Sequence, residues 1–187
     1  VYEIAWNGRK TVSESRLGFE LEDGASLVDR FEIVGIERGS GDRTWKPLYG
    51  ERASIRDNYN ALTISLVHAG SPVYTMNLHF RCYDQGAAFR YEFPGKDTRG
   101  EIAIRNELTH FRFTGDHEVW CVNTAQGEYE KKKISSMGDE VERPLTLKIE
   151  ERRYAAIAEA GLVDFARMKL SRAEGDPRGI VSSLSGG

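Results

Sequence analysis

The side chains capable of chemistry are scattered along this chain rather than grouped. Its four histidines are His68, His79, His110 and His117. None stands in a spacing such as H-x-x-x-H, which would put two imidazoles on one helix face for a metal. The two cysteines, Cys82 and Cys121, are too few for a disulfide framework and match no zinc pattern. Both sit in apolar, strand-like runs, where buried free thiols are expected; a single disulfide stays open for an exported protein. With 29 acidic residues, carboxylate pairs arise by chance, and no motif marks one pair for acid–base work. Trp6, Trp45 and Trp120 offer flat faces that serve either sugar stacking or packing in a core or between domains. Trp45, in a Gly-rich stretch before Pro47, is expected to be partly exposed. The basic run Lys131-Lys132-Lys133 lies between Glu128 and Glu130 on one side and Asp139 and Glu140 on the other, and reads as a solvated loop or edge strand.

The elements that must position these groups are strands. Val1 to Trp6 is rich in β-formers and ends at Asn7-Gly8, the strongest short hairpin signal because both positions tolerate positive φ. Leu17 to Leu21 and Phe31 to Ile36 follow as further strands, separated by an Asp23-Gly24 turn. Arg38 to Thr44 reads as a loop by composition. Ala61 to His68 alternates with period two, with Leu62, Ile64 and Leu66 on one face. Val73 to Tyr83 does the same, with Tyr74, Met76, Leu78 and Phe80 opposed to Thr75, Asn77, His79 and Arg81. An Asp84-Gln85-Gly86 turn joins it to Ala87 to Phe93, closed by Pro94-Gly95, so the two form one long hairpin.

Glu101 to Thr109, Phe111 to Phe113, Val119 to Val122 and Leu145 to Ile149 continue the strand pattern. Residues 123–143 form a polar excursion of the kind that is functional or mobile in a compact domain. Local propensity favours a helix over residues 150–161, but the β surroundings favour a strand at Tyr154 to Ala158. Val163 to Leu170 reads as a strand, and Ser171 to Gly187 as loop. No strong helix and no repeat is evident. The fold class is therefore mostly β, an antiparallel β-sandwich, in one domain of 187 residues.

Bulk composition narrows the partners. The net charge is −3 and the pI about 5.9, which gives no basic footprint for nucleic acid. No run approaches the ~20 apolar residues of a membrane helix, and no signal peptide is present. The chain opens on Val-Tyr-Glu without an initiator Met and ends on Ser-Gly-Gly, and is read as a trimmed segment of a longer protein.

Five stretches, in order, carry a family resemblance: Ser15 to Phe19; Asp42-Arg-Thr-Trp-Lys-Pro-Leu-Tyr-Gly-Glu51; Ile55-Arg-Asp-Asn-Tyr-Asn60; Phe80 to Tyr91; and Ala158-Glu-Ala160 with Val163-Asp164. Together they resemble the N-terminal domain of glycoside hydrolase family 97 across nearly the whole chain. The resemblance implies a galactose-mutarotase-like supersandwich in a bacterial, often Bacteroidetes, exo-acting α-glucosidase or α-galactosidase of periplasmic or secreted location. It implies a catalytic (β/α)8 barrel downstream that carries the catalytic carboxylates, so this chain holds no catalytic residue. It also implies an α-linked oligosaccharide as substrate and a calcium ion in the pocket, held mainly by barrel glutamates and by one glutamate of the N-terminal domain. That glutamate matches Glu130 of Tyr129-Glu130, with Glu128 as the alternative. Trp45, Arg43, Arg56 and Asn58 fall in the family-like segments and are candidates for substrate or domain-interface contact. A free-standing carbohydrate-binding sandwich is the competing reading. A face normally covered by a barrel would make the isolated chain self-associate.

Overall fold

A computed structural model describes residues 1–70, 73–94, 101–163 and 165–184. Gly95, Asp164 and the last three residues lie outside the described residues. The described chain is an antiparallel β-sandwich-class protein, with strands throughout and a single turn of 3-10 helix at Ile134–Ser136. It divides into two compact units. One comprises Val1–Val28 and Ala103–Gly187, the other Asp29–Ile102.

In the first unit, β1 (Tyr2–Trp6) and β2 (Arg9–Ser15) form the expected hairpin. Asn7 and Gly8 take φ of 48° and 72°, the positive values that a two-residue turn requires there. Strands β3 (Phe19–Leu21) and β4 (Ser26–Leu27) pair with each other, and β3 pairs with β9 (Ile104–Glu107), far along the chain. Two further sheets enclose the core. One has β16 (Gly179–Leu184) between β10 (His110–Arg112) and β15 (Met168–Arg172). The other runs β12 (Glu130–Lys133), β11 (Glu118–Cys121), β13 (Leu145–Glu150), β14 (Arg153–Ile157). Val119, Leu145 and Leu147 from one sheet meet Leu170 and Ile180 from the other, and all five are fully buried. Phe113 and the 3-10 residue Ile134 join the same cluster. At about 25 cal/mol per Å² of apolar area, this burial is the main force that holds the unit together.

The second unit is a four-stranded meander: β5 (Phe31–Trp45), β6 (Ile55–His68), β7 (Tyr74–Tyr83), β8 (Gly86–Glu92). Its register fulfils the alternation read from the sequence. Leu62, Ile64 and Leu66 stand opposite Phe80, Leu78 and Met76, while Thr63 on the other face stands opposite His79. On that polar face Thr63 Oγ1 lies 3.0 Å from His79 Nδ1, and His79 Nε2 lies 2.5 Å from Glu92.

Three expectations are corrected. Arg38 to Thr44 is not a loop but the outer half of β5, paired with β6 from Arg38↔Leu62 to Thr44↔Arg56. Its glycines looked like a break, yet Gly41 is where the Tyr59 ring crosses the strand, so close that a Cβ there would lie 2.6 Å from the ring. The strand expected from Val163 begins only at Met168. The tail read as loop contains β16, the middle strand of its sheet. Its serines disguised it: Ser182 is buried, accepts the Thr109 amide at 3.0 Å and donates to the Glu107 carbonyl at 2.8 Å. The ambiguous stretch at Tyr154 resolves as the strand favoured by its surroundings. The excursion over 123–143 is partly built into the core, with Ile134, Met137 and Val141 buried.

Candidate functional site

Each unit carries one hollow of note. In the first unit a hollow of about 360 Å³ is lined by Tyr129, Glu142, Arg143, Pro144, Glu159 and Arg167, among others. Backbone bonds place its charged groups. The Glu142 amide donates to the Val122 carbonyl at 2.7 Å, and Glu159 follows the end of β14. Arg143 Nε donates to Glu159 Oε2 at 2.9 Å, and its Nη1 lies 3.4 Å from Glu142. Arg167 donates to the other Glu142 oxygen at 2.9 Å, and the Met168 amide lies 3.3 Å from both Glu159 oxygens. The side chains of Glu142, Arg143 and Glu159 are only 9%, 17% and 16% exposed. Both carboxylates are held by charge-assisted hydrogen bonds within the chain.

Sequence reasoning did not single out these four charged residues as a site. The available signal was weak: Glu142 and Arg143 immediately before a Pro that opens an apolar strand, and Glu159 isolated between two alanines.

The acidic residues expected to meet a metal lie nearby. Glu130 sits on β12 opposite Cys121 and is exposed, and its carboxylate is ion-paired with Lys132. Lys131 pairs with Glu118 at 3.0 Å and lies 5.7 Å from the centre of the Trp120 ring. The lysine run thus lies on the edge strand β12, where Lys132 pairs with the flanking Glu130 and Lys131 with the cross-strand Glu118. Glu128 is exposed, between β11 and β12. Among the described residues no three His, Cys, Asp or Glu side chains gather as a metal group. Calcium takes about 6–8 oxygens. The described residues do not by themselves form such a group, and Glu130 or Glu128 would supply only one ligand group among several.

The remaining candidates gather in the second unit. β5 and β6 extend beyond β7, whose pairing starts at Asn60↔Cys82, as a two-stranded ribbon ending at Trp45↔Ile55. Arg43 bonds Asp57 at 3.0 Å, and Arg56 grips Asp42 through two bonds of 2.7 and 2.6 Å. The hydrogen bond from Arg56 holds the Asp42 carboxyl below its ordinary range. Trp45 is half exposed. Arg56 and Asn58 line a hollow of about 520 Å³ with Arg52, Tyr83 and Gln85. The structure therefore brings Arg43, Trp45, Arg56 and Asn58 onto one ribbon, whereas Glu128 and Glu130 belong to the other unit.

Both cysteines are free thiols, and Cys82 is exposed rather than buried. His68 is buried, and His110 and His117 are half-buried; burial lowers the affinity of all three for a proton.

Among the described residues, Glu107 is a carboxyl group pushed upward, by burial first, against the 2.5 Å hydrogen bond it accepts from Thr109. An acid whose folded value exceeds the unfolded one destabilises the fold as pH rises through that folded value. The penalty is absent below the unfolded value of 4.5. Glu107→Gln keeps an acceptor for Thr109 and is expected to raise the urea midpoint at pH 7 but not at pH 4. Equal midpoints for variant and parent at both pH values would refute the assignment.

Fold and hollows together define a domain built of antiparallel β-sheets. The family described as Glycosyl-hydrolase 97 N-terminal matches residues 1–185, and the chain belongs to it. The chain is similar to a retaining alpha-galactosidase of Bacteroides thetaiotaomicron, with 23% identity over 95% of this chain and 28% of that protein. A glycoside hydrolase family 97 enzyme from Pseudoalteromonas sp. strain K8, solved with acarbose, superposes with a TM-score of 0.90 at 27% identity, over 98% of this chain and 28% of that one. A beta-arabinopyranosidase shares the fold alone, with a TM-score of 0.86 at 18% identity, over 98% of this chain and 32% of that one. The chain therefore spans under a third of the length of these relatives. No helix among the described residues is long and apolar enough to cross a membrane.

Proposed function

We propose that this chain is the non-catalytic N-terminal domain of an exo-acting bacterial α-glycosidase, working on an α-linked glucoside or galactoside outside the cytoplasm. It packs on a catalytic barrel in the same polypeptide, helps wall the pocket and lends one carboxylate, Glu130 or alternatively Glu128, to a calcium ion whose other ligands lie outside it. The observation that carries this reading is the end-to-end match to an N-terminal domain family by a chain that spans 28% of its relatives. The ion pair of Glu130 with Lys132 is no obstacle, because exposed pairs are worth only about 0–1 kcal/mol and exchange readily. The hollow beside the ribbon, with Asn58, Gln85 and Tyr83, favours as second reading a carbohydrate-binding module.

The test is hydrolysis of aryl α-glucoside and aryl α-galactoside by this chain and by the full-length protein, with calcium present. A silent chain beside an active full-length enzyme is expected, and Glu130→Gln in the full-length enzyme is expected to raise the calcium needed for half-maximal rate by about tenfold or more. Turnover by the repurified chain would overturn the reading. An unchanged calcium requirement in both Glu130→Gln and Glu128→Gln would remove the ligand role. Tight glycan binding by a silent chain would favour the second reading.

A further inference from the structure

The β5–β6 ribbon continues beyond β7 as two strands alone, ending at Trp45↔Ile55. A two-stranded ribbon is marginal in water. Here, beyond the third strand, two cross-strand ion pairs clasp it, Arg43 with Asp57 and Arg56 with Asp42. On one side the Tyr59 ring lies over Gly41, the Arg81 guanidinium stands 4.2 Å from the centre of that ring, and Tyr83 packs against it at 5.6 Å. This brace holds out a tip whose large apolar groups face water: Leu48 is 100% exposed, Tyr49 90% and Trp45 48%. The clasping charges cancel in pairs. Exposed aromatic and aliphatic groups clustered at one place are the usual anchors of an interface.

We infer that the ribbon is a docking arm, with Trp45, Leu48 and Tyr49 as anchors, and that its partner is an apolar recess on the remainder of the longer polypeptide. This rests on the accessory-domain reading above. The choice of occupant follows from length: more than two thirds of each matched relative lies outside the matched segment. A covalently attached partner is also present at high effective concentration, so three anchors suffice where separate proteins would need a larger surface.

The experiment uses the full-length protein and its L48D/Y49S variant. Amide hydrogen exchange is followed over residues 44–52, with residues 60–68 of β6 as a check that the meander is intact, and glycosidase activity is measured on the same samples. Exchange over 44–52 is expected to be about tenfold or more slower in the parent than in the variant, with 60–68 alike in both. Equal, fast exchange over 44–52 overturns the arm. So does protection that grows with protein concentration, which would assign the tip to a second copy. An active enzyme whose tip exchanges freely sinks the arm and leaves the accessory reading standing. A protected tip in a protein without glycosidase activity does the reverse.

Discussion

Arg143→Ala is expected to lower the unfolding free energy by about 3–5 kcal/mol, seen as a lower urea midpoint. The guanidinium sits between Glu142 and Glu159, and none of the three side chains is more than 17% exposed. Removing it takes no carboxylate back to water. Glu142 keeps Arg167 at 2.9 Å, but Glu159 is left with the Met168 amide at 3.3 Å as its donor. A buried charge without its partner costs far more than the intact pair contributes, which is why the loss exceeds what any exposed pair here would show. Arg143→Lys should recover little, because an ammonium cannot reproduce the planar Nε and Nη2 donors that the guanidinium converges on Glu159 Oε2 while its Nη1 faces Glu142. Adding Glu159→Gln to Arg143→Ala should restore about 1–3 kcal/mol, since the two changes share one interaction. Strict additivity, or a loss below about 1 kcal/mol for the alanine variant, would mean that water already solvates the cluster.

Phe113→Ala is expected to cost a similar amount, about 3–5 kcal/mol, for a different reason. Phe113 is 1% exposed within the main core cluster of the first unit, bridges to Val12 of β2, and donates its amide to the Arg178 carbonyl at 2.9 Å. Truncation loses the transfer energy of the ring and leaves a void that the surrounding sheet strands cannot fill. Phe113→Leu, nearer in volume, leaves a smaller void and should cost clearly less than the alanine change. Thermal unfolding of both variants beside the parent decides it. Equal losses for alanine and leucine would show that ring shape, not volume, is what the core requires.

The strands that the sequence revealed are those with one wet face and one dry face. β6 and β7 alternate cleanly because the meander keeps Thr63 and His79 on the side away from Leu66 and Met76. What stayed hidden were strands whose identity is conferred by distant neighbours. The outer half of β5 carries Gly39 and Gly41, and only the Tyr59 ring, positioned by a partner strand, makes a glycine there an asset. β16 reads Gly-Ile-Val-Ser-Ser-Leu, and its Ser182 is acceptable inside because Thr109 and Glu107, more than seventy residues earlier, meet it. The site divides the same way. The lysine run and its glutamates announced themselves by adjacency. The Glu142–Arg143–Glu159 cluster did not, because its members come together only when β13 and β14 close their hairpin.

The split of the first unit into two stretches of sequence sets an order of events during synthesis. The meander draws each strand from its predecessor and can close soon after Glu92 has emerged from the ribosome. β3 can meet β4 at once, but its other partner, β9, is made only after the whole meander, with Phe19 waiting for Glu107. Until then Phe19, Leu21 and Leu27, all buried in the finished fold, are exposed on the nascent chain. That interval is when a chaperone has most to hold and when truncated products are most prone to aggregate.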